Sequence, residues 1–147
     1  MNLAQLNVGK IVAPLDSPRM AGFVDRLESV NSQAESAPGF VWRLKDDGAG
    51  ATSIRMFEDD LLLVNMSVWE SPEALHDFVY RQIDHADALR MRREWFEQVS
   101  DMMVVCWNVS EGHIPTIEEA KEKLLTLRAE GSTEGAFTLR EASKFSR

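Results

Sequence analysis

The sequence predicts an α+β domain with the ferredoxin-like order β-α-β-β-α-β, in which an antiparallel sheet carries helices on one face and an extra C-terminal helix follows. Three observations predict it. Four short segments alternate between apolar and polar residues as strands do, stretches with helical spacing separate them, and the 147 residues contain no repeat or linker. We therefore expect one domain over residues 1–147, with its core at about 3–109, a helical extension at about 115–131 and a polar tail to 147.

The first half of the chain supplies two strands, a helix and a loop. Residues 3–12 alternate as a strand. A helix is predicted from Asp16-Ser17-Pro18, because a hydroxyl can cap the first turn and proline fits the first helical position. It ends at Ala37-Pro38-Gly39. A second strand covers 40–44, and two glycines within 46–53 indicate a loop.

The second half continues the alternation of strands and helices. We expect a strand at 61–69, followed by a helix that begins at Ser71 and Pro72. A helical stretch from about His85 to Val99 and a strand at 102–109 come next. A capping box at Thr116–Glu119 then opens a last helix, which ends at Gly131. This order completes the ferredoxin-like unit and its appended helix.

Charge and composition argue against several classes of partner and location. The formal net charge is −8 and the pI about 4.9, which argues against nucleic acid or an anionic membrane surface as the main partner. No N-terminal signal segment is evident and no apolar stretch approaches the ~20 residues that span a bilayer, so we expect a cytoplasmic protein. Cys106 is the single cysteine, and its apolar run favours a buried small residue over a reactive thiol.

The third strand has two unlike faces, because successive side chains of a strand point to opposite sides. Its apolar face is Leu62, Val64, Met66 and Val68, and its other face is Leu63, Asn65, Ser67 and Trp69. The first strand is divided in the same way, with Gln5 and Asn7 on its amide-bearing face. Buried polar groups need partners, and these are either neighbouring strands or a ligand.

Longer motifs carry a resemblance to a known superfamily. They are Asn65-Met-Ser-Val-Trp69-Glu-Ser, Asp77-Phe-Val-Tyr80, His85-Ala86, Arg92-Arg-Glu-Trp-Phe96, and Gly112-His-Ile-Pro-Thr116 with Glu119-Ala120. The core, from Leu3 to about Val109, resembles the dimeric α/β-barrel superfamily, which includes antibiotic-biosynthesis monooxygenases and haem-degrading enzymes. The longer motifs, up to about Phe137, resemble a bacterial family of uncharacterised function within that superfamily. The resemblance implies a homodimer whose two sheets enclose a space, and we expect the amide-bearing faces to line that space.

The resemblance also implies a chemistry. The cofactor-independent monooxygenases of the superfamily carry an Asn and a Trp four residues apart on this strand, and Asn65 and Trp69 match that spacing. Oxygenation without metal or flavin needs a substrate that supplies its own electrons once deprotonated, held away from bulk water. The Asn65 amide and the Trp69 indole N–H are suitable donors to an enolate oxygen. His85, near a helix N-terminus that favours neutral imidazole, is the candidate base, and a capping or packing role is its alternative.

The predicted function is therefore that of a cofactor-independent monooxygenase acting on a small aromatic or polyketide-type substrate. The candidate substrate-binding residues are Gln5, Asn7 and Ser67 on the amide-bearing strand faces, Trp42 and Trp107 as stacking surfaces on strands, Arg93, and His113. Arg93 could hold a carboxylate or phenolate, or lie on a solvated helix face. His113 could contact the substrate or fix its own turn. No spacing of residues suggests a metal site.

Two other functions stay open from the sequence. Haem binding or degradation would use Asn7, Trp69 and either His76 or His85, by resemblance to the haem-degrading members. A non-catalytic homodimer that binds a small ligand would instead have its polar strand residues satisfied by one another.

Overall fold

The computed structural model describes residues 1–45, 61–82, 94–97 and 103–145. Its centre is a four-stranded antiparallel sheet in the order β2-β3-β1-β4. The strands are β1 (Asn2–Lys10), β2 (Phe40–Arg43), β3 (Leu62–Trp69) and β4 (Val104–Val109). This is the ferredoxin-like arrangement, so the predicted fold class is confirmed, and each strand begins and ends within two residues of its predicted bounds.

The two helices of the ferredoxin-like unit are α1 (Ala21–Ser36) and α2 (Pro72–Asp77). Ser71 caps α2 as predicted, since its Oγ accepts a hydrogen bond from the backbone N–H of Ala74 at 3.1 Å. The predicted cap at Ser17 is wrong. Its hydroxyl donates to the Pro14 carbonyl at 2.6 Å, and a 3₁₀ turn at Pro18–Met20 leads into α1.

The helical stretch predicted from about His85 to Val99 falls largely outside the described residues. α2 continues as a π-helix over Phe78–Gln82. Further along, Phe96 forms an isolated antiparallel bridge with Ile11, and the backbone N–H of Glu97 donates to Lys10 at 2.7 Å. The predicted helix is therefore wrong at Phe96 and Glu97, because the backbone there is paired with the end of β1 and the residues next to it.

The amide-bearing face of the sheet is covered by α1 and α2 of the same chain. At one end, Leu3 and Trp69 pack with Ala34 of α1 and Leu75 of α2. At the other end, Leu63 packs in a cluster with Phe23 of α1 and with Trp95. The expectation that this face lines a space between two sheets is therefore wrong, since apolar residues at both ends of the face draw the helices onto it.

The apolar face of the sheet is covered by the C-terminal helix, α3 (Ile117–Glu130). Its inner residues form one cluster with the apolar residues of the strands, namely Ala4, Leu6, Val8, Met66, Val68, Val105, Trp107, Val109, Ala120, Leu124 and Leu127. Thr116 caps α3 as predicted, because its Oγ1 accepts from the Glu119 backbone N–H at 3.1 Å, and α3 ends at Gly131 with a φ of +74°. Each sheet face thus packs against helices of its own chain.

The segment predicted as a polar tail is partly structured. Phe137 is fully buried and exchanges two backbone hydrogen bonds with Cys106 of β4, at 2.7 and 2.9 Å. A 3₁₀ turn at Leu139–Glu141 and a short helix, α4 (Ala142–Phe145), follow. Within the described residues, no helix is long and apolar enough to cross a membrane.

Candidate functional site

A chain of side-chain hydrogen bonds crosses the amide-bearing face between β1 and β3. Gln5 Nε2 donates to Asn65 Oδ1 and to Ser67 Oγ, both at 2.9 Å. Trp69 Nε1 donates to the same Ser67 Oγ at 2.8 Å. The strand register places Gln5 directly opposite Ser67 and Asn7 directly opposite Asn65. The structure therefore brings together Gln5, Asn7, Asn65, Ser67 and Trp69 on one face, as the sequence predicts.

This group of residues changes from buried to exposed along the strands. Gln5 and Ser67 are buried, at 8% and 6% exposure, and Trp69 is 1% exposed. Asn65 and Asn7 are exposed. The polar residues lie between the apolar cluster at Leu3 and Trp69 and the one at Leu63. A ligand can therefore reach the Asn65 end of the group, but not the Trp69 end.

Trp69 is part of the packing under α2. Phe78 stacks on it with ring centroids 5.3 Å apart, and Phe40 meets it edge-on at 5.5 Å. Its indole N–H is donated to Ser67 Oγ. The indole thus holds the hydrogen-bond chain in place, and in this arrangement its N–H does not point at a ligand.

Trp42, Trp107 and His113 do not join this group. Trp42 and Trp107 pack with the cluster on the apolar face. Trp107 Nε1 donates to Glu119 Oε2 at 2.8 Å, and His113 Nε2 lies 2.8 Å from Glu119 Oε1. These side chains are on the opposite side of the sheet from Asn65, so the structure does not bring the predicted site residues together in one place.

Glu119 is a connecting residue that the sequence interpretation did not identify. A capping-box Glu is expected to reach back to the backbone N–H of Thr116. Here its carboxylate bridges Trp107 and His113 instead. The capping-box motif concealed this contact, since the motif already supplies a local role for the carboxylate.

His85 and Arg93 lie outside the described residues, so their roles as base and anion-binding residue stay predictions. His76 is exposed on α2, and its ring is 4.4 Å from that of Tyr80. In the described part of the chain, no three His, Cys, Asp or Glu side chains are grouped as metal ligands.

Cys106 lies in the sheet on the same face as Gln5, its partner across the β1–β4 register. It is fully buried, as predicted. Burial raises the pKa of its thiol to about 12. The thiol is therefore protonated at neutral pH and serves as a small apolar residue beneath Phe137.

Comparison with known proteins adds a family and a structural similarity. A family model described as "Domain of unknown function (DUF3291)" matches residues 2–147. No curated protein matches. SnoaB, a cofactor-independent oxygenase from Streptomyces nogalater, is similar with a TM-score of 0.48 and 17% sequence identity, over 75% of this chain and 94% of that chain. The site must therefore be interpreted from the residues of this chain.

Proposed function

This chain belongs to the family described as Domain of unknown function (DUF3291), and we propose that it is a cofactor-independent monooxygenase acting on a small aromatic or polyketide-type substrate bound at Asn65. One observation carries the proposal. Gln5 Nε2 holds Asn65 Oδ1 at 2.9 Å, which leaves the NH₂ group of this exposed amide as a donor of fixed orientation. A donor fixed before the substrate arrives needs no reorganisation when negative charge develops on a substrate oxygen.

The proposed chemistry begins with a phenol or anthrone that has lost a proton. Its enolate oxygen accepts a hydrogen bond from Asn65 Nδ2, and its electron-rich carbon forms a C–O bond with dioxygen. For an anthrone, the protonated peroxide then loses water as its O–O bond and the remaining C–H bond break, so that one oxygen atom stays on the carbon as a carbonyl. Gln5 is a positioning residue because it holds Asn65, and Ser67 is one because it accepts the other hydrogen bond of Gln5 Nε2. Trp69 positions Ser67 by its N–H. His85 remains the proposed base.

A non-catalytic ligand-binding protein is the second candidate, and a specific observation favours it. Gln5, Ser67 and Trp69 satisfy one another across β1 and β3, so their burial requires no substrate. In that case Asn65 and Asn7 would hold a ligand without activating it. Haem binding gains no such support, because among the described residues Phe40 and Phe78 of this chain contact the ring of Trp69.

The two candidates are separated by dioxygen uptake. The purified, metal-stripped protein would be given anthrones, naphthols and hydroquinones, with Asn65→Asp as the test variant. This change keeps the shape of the side chain but replaces the outward NH₂ with an oxygen. Asn2→Asp is the matched control, since Asn2 is on β1 outside the hydrogen-bond chain.

We expect uptake by the wild type and by Asn2→Asp, and a loss of about 10²–10³-fold in Asn65→Asp, as for removal of one oxyanion donor. Equal rates in Asn65→Asp and the wild type would contradict the donor role. Binding of a panel member without uptake, weakened only by Asn65→Asp, would instead support the non-catalytic protein. Circular dichroism of each variant would show that its fold is intact.

A further inference from the structure

The apolar sheet face is closed by the chain's own C-terminal helix. On β1, Ala4, Leu6 and Val8 are 0–1% exposed, and on α3 the facing residues Leu124 and Leu127 are 0% exposed. Burial this complete removes the central part of the face from water within a single chain. We infer that α3 occupies the place of a second sheet, so that this chain does not self-associate through its apolar face.

Two polar contacts hold α3 on the sheet in addition to its apolar packing. Near its N-terminus, Glu119 accepts the indole N–H of Trp107 at 2.8 Å, and Trp107 is 1% exposed. Near its C-terminus, Arg128 Nη2 lies 3.2 Å from Met103 Sδ. Moving α3 aside for a second copy would leave a buried indole N–H without its acceptor, which is costly in an apolar environment.

The segment after α3 closes one edge of the same sheet. Phe137 pairs with Cys106 through two backbone hydrogen bonds, and α4 ends near Asn108, whose side-chain amide donates to the Phe145 carbonyl at 2.8 Å. An incoming strand at this position would have to displace Phe137. The C-terminal part of the chain therefore covers both the apolar face and the outer edge of β4 at Cys106.

The covering helix blocks association through the apolar face, and a dimer through another surface is compatible with it. The homodimer implied by the sequence resemblance stays a prediction. If two copies associate, they do so with α3 in place on each sheet.

The test uses the full chain at several concentrations. Sedimentation velocity gives its mass relative to the 16.6 kDa of one chain. Contacts between chains are measured by NMR in a mixture of two samples, one with isotope-labelled methionine methyl groups and one with a different isotope label. Magnetisation transfer from a methionine methyl group to the other label then reports a contact between chains. Met66, on the apolar face and 1% exposed, is the probe, and Met1, 57% exposed, is the control.

We expect either a monomer or a dimer without contacts between chains at Met66. We also expect slow hydrogen exchange at the Trp107 indole N–H, and fast exchange in Glu119→Ala. A dimer whose second chain contacts Met66 would overturn the inference. A monomer whose Trp107 N–H exchanges as fast as a free indole would also overturn it, because α3 would then not be held on the sheet.

Discussion

Two neighbouring leucines of α3 measure how much this helix stabilises the fold. Leu124 is 0% exposed in the cluster on the apolar face, whereas Leu125 is 46% exposed. Truncation of a buried leucine to alanine costs about 2–5 kcal/mol, from the lost transfer free energy and the cavity that remains. Leucine and alanine have similar helix propensities, so the difference between the two variants comes from packing.

For Leu124→Ala we expect a loss of about 3 kcal/mol in the free energy of unfolding, and for Leu125→Ala less than about 1 kcal/mol. In a domain of this size, about 3 kcal/mol corresponds to a fall of roughly 10 °C in Tm. Urea denaturation followed by far-UV circular dichroism, together with calorimetry, measures both quantities. If the two variants lose similar amounts, α3 does not pack on the sheet in solution, and the proposed closure of the apolar face is refuted.

Three further changes test the polar contacts and the buried thiol. Gln5→Glu places a carboxylate against Asn65 Oδ1, so we expect a loss of about 2–3 kcal/mol at pH 7 that is largely recovered near pH 4; equal Tm shifts at both pH values would contradict the hydrogen-bond chain. Glu119→Ala leaves the Trp107 N–H without an acceptor and should cost about 1–3 kcal/mol, while Glu119→Gln costs less; thermal unfolding distinguishes them, and equal losses would argue against this contact. The folded pKa of Cys106, about 12, lies above its ordinary value of 9.0. The stabilisation that comes from keeping this thiol protonated in the folded state is therefore fully present below pH 9. As the pH rises from 9 towards 12, the free energy of unfolding falls by about 1.4 kcal/mol per pH unit. Urea denaturation at several pH values in that range should show that the free energy of unfolding falls more steeply with pH in the wild type than in Cys106→Ala. An equal dependence on pH in the two proteins would contradict the raised pKa.

The strands and most helix starts follow from local patterns. The alternation in β3 separates Met66 from Asn65 wherever the strand lies, since the two side chains point to opposite faces. The cap at Ser71 also depends on residues within one turn. The cap at Ser17 failed because the Pro14 carbonyl, outside the helix, offered its hydroxyl another partner.

The amide group of the candidate site is only half determined by sequence. Alternation places Gln5 and Asn65 on the polar face of their own strands, but they are 60 residues apart. Their contact depends on the register between β1 and β3, and no local pattern specifies that register. The same holds for Trp107, which the register of β4 places on the face opposite Asn65.

The sequence by itself thus determined the fold class, the strands and the two unlike faces of the sheet, because period-two alternation and turn signals act over a few residues. Only the tertiary structure decided which elements cover each face. Both α1 and α3 have an apolar stripe that can cover an apolar sheet face. Because the hydrophobic effect has no directional preference, it does not by itself assign either helix to one face. The choice depends on the ends of the amide-bearing face, where Leu3 and Trp69 favour α1 and α2, and on the Trp107–Glu119 contact that holds α3 on the other side.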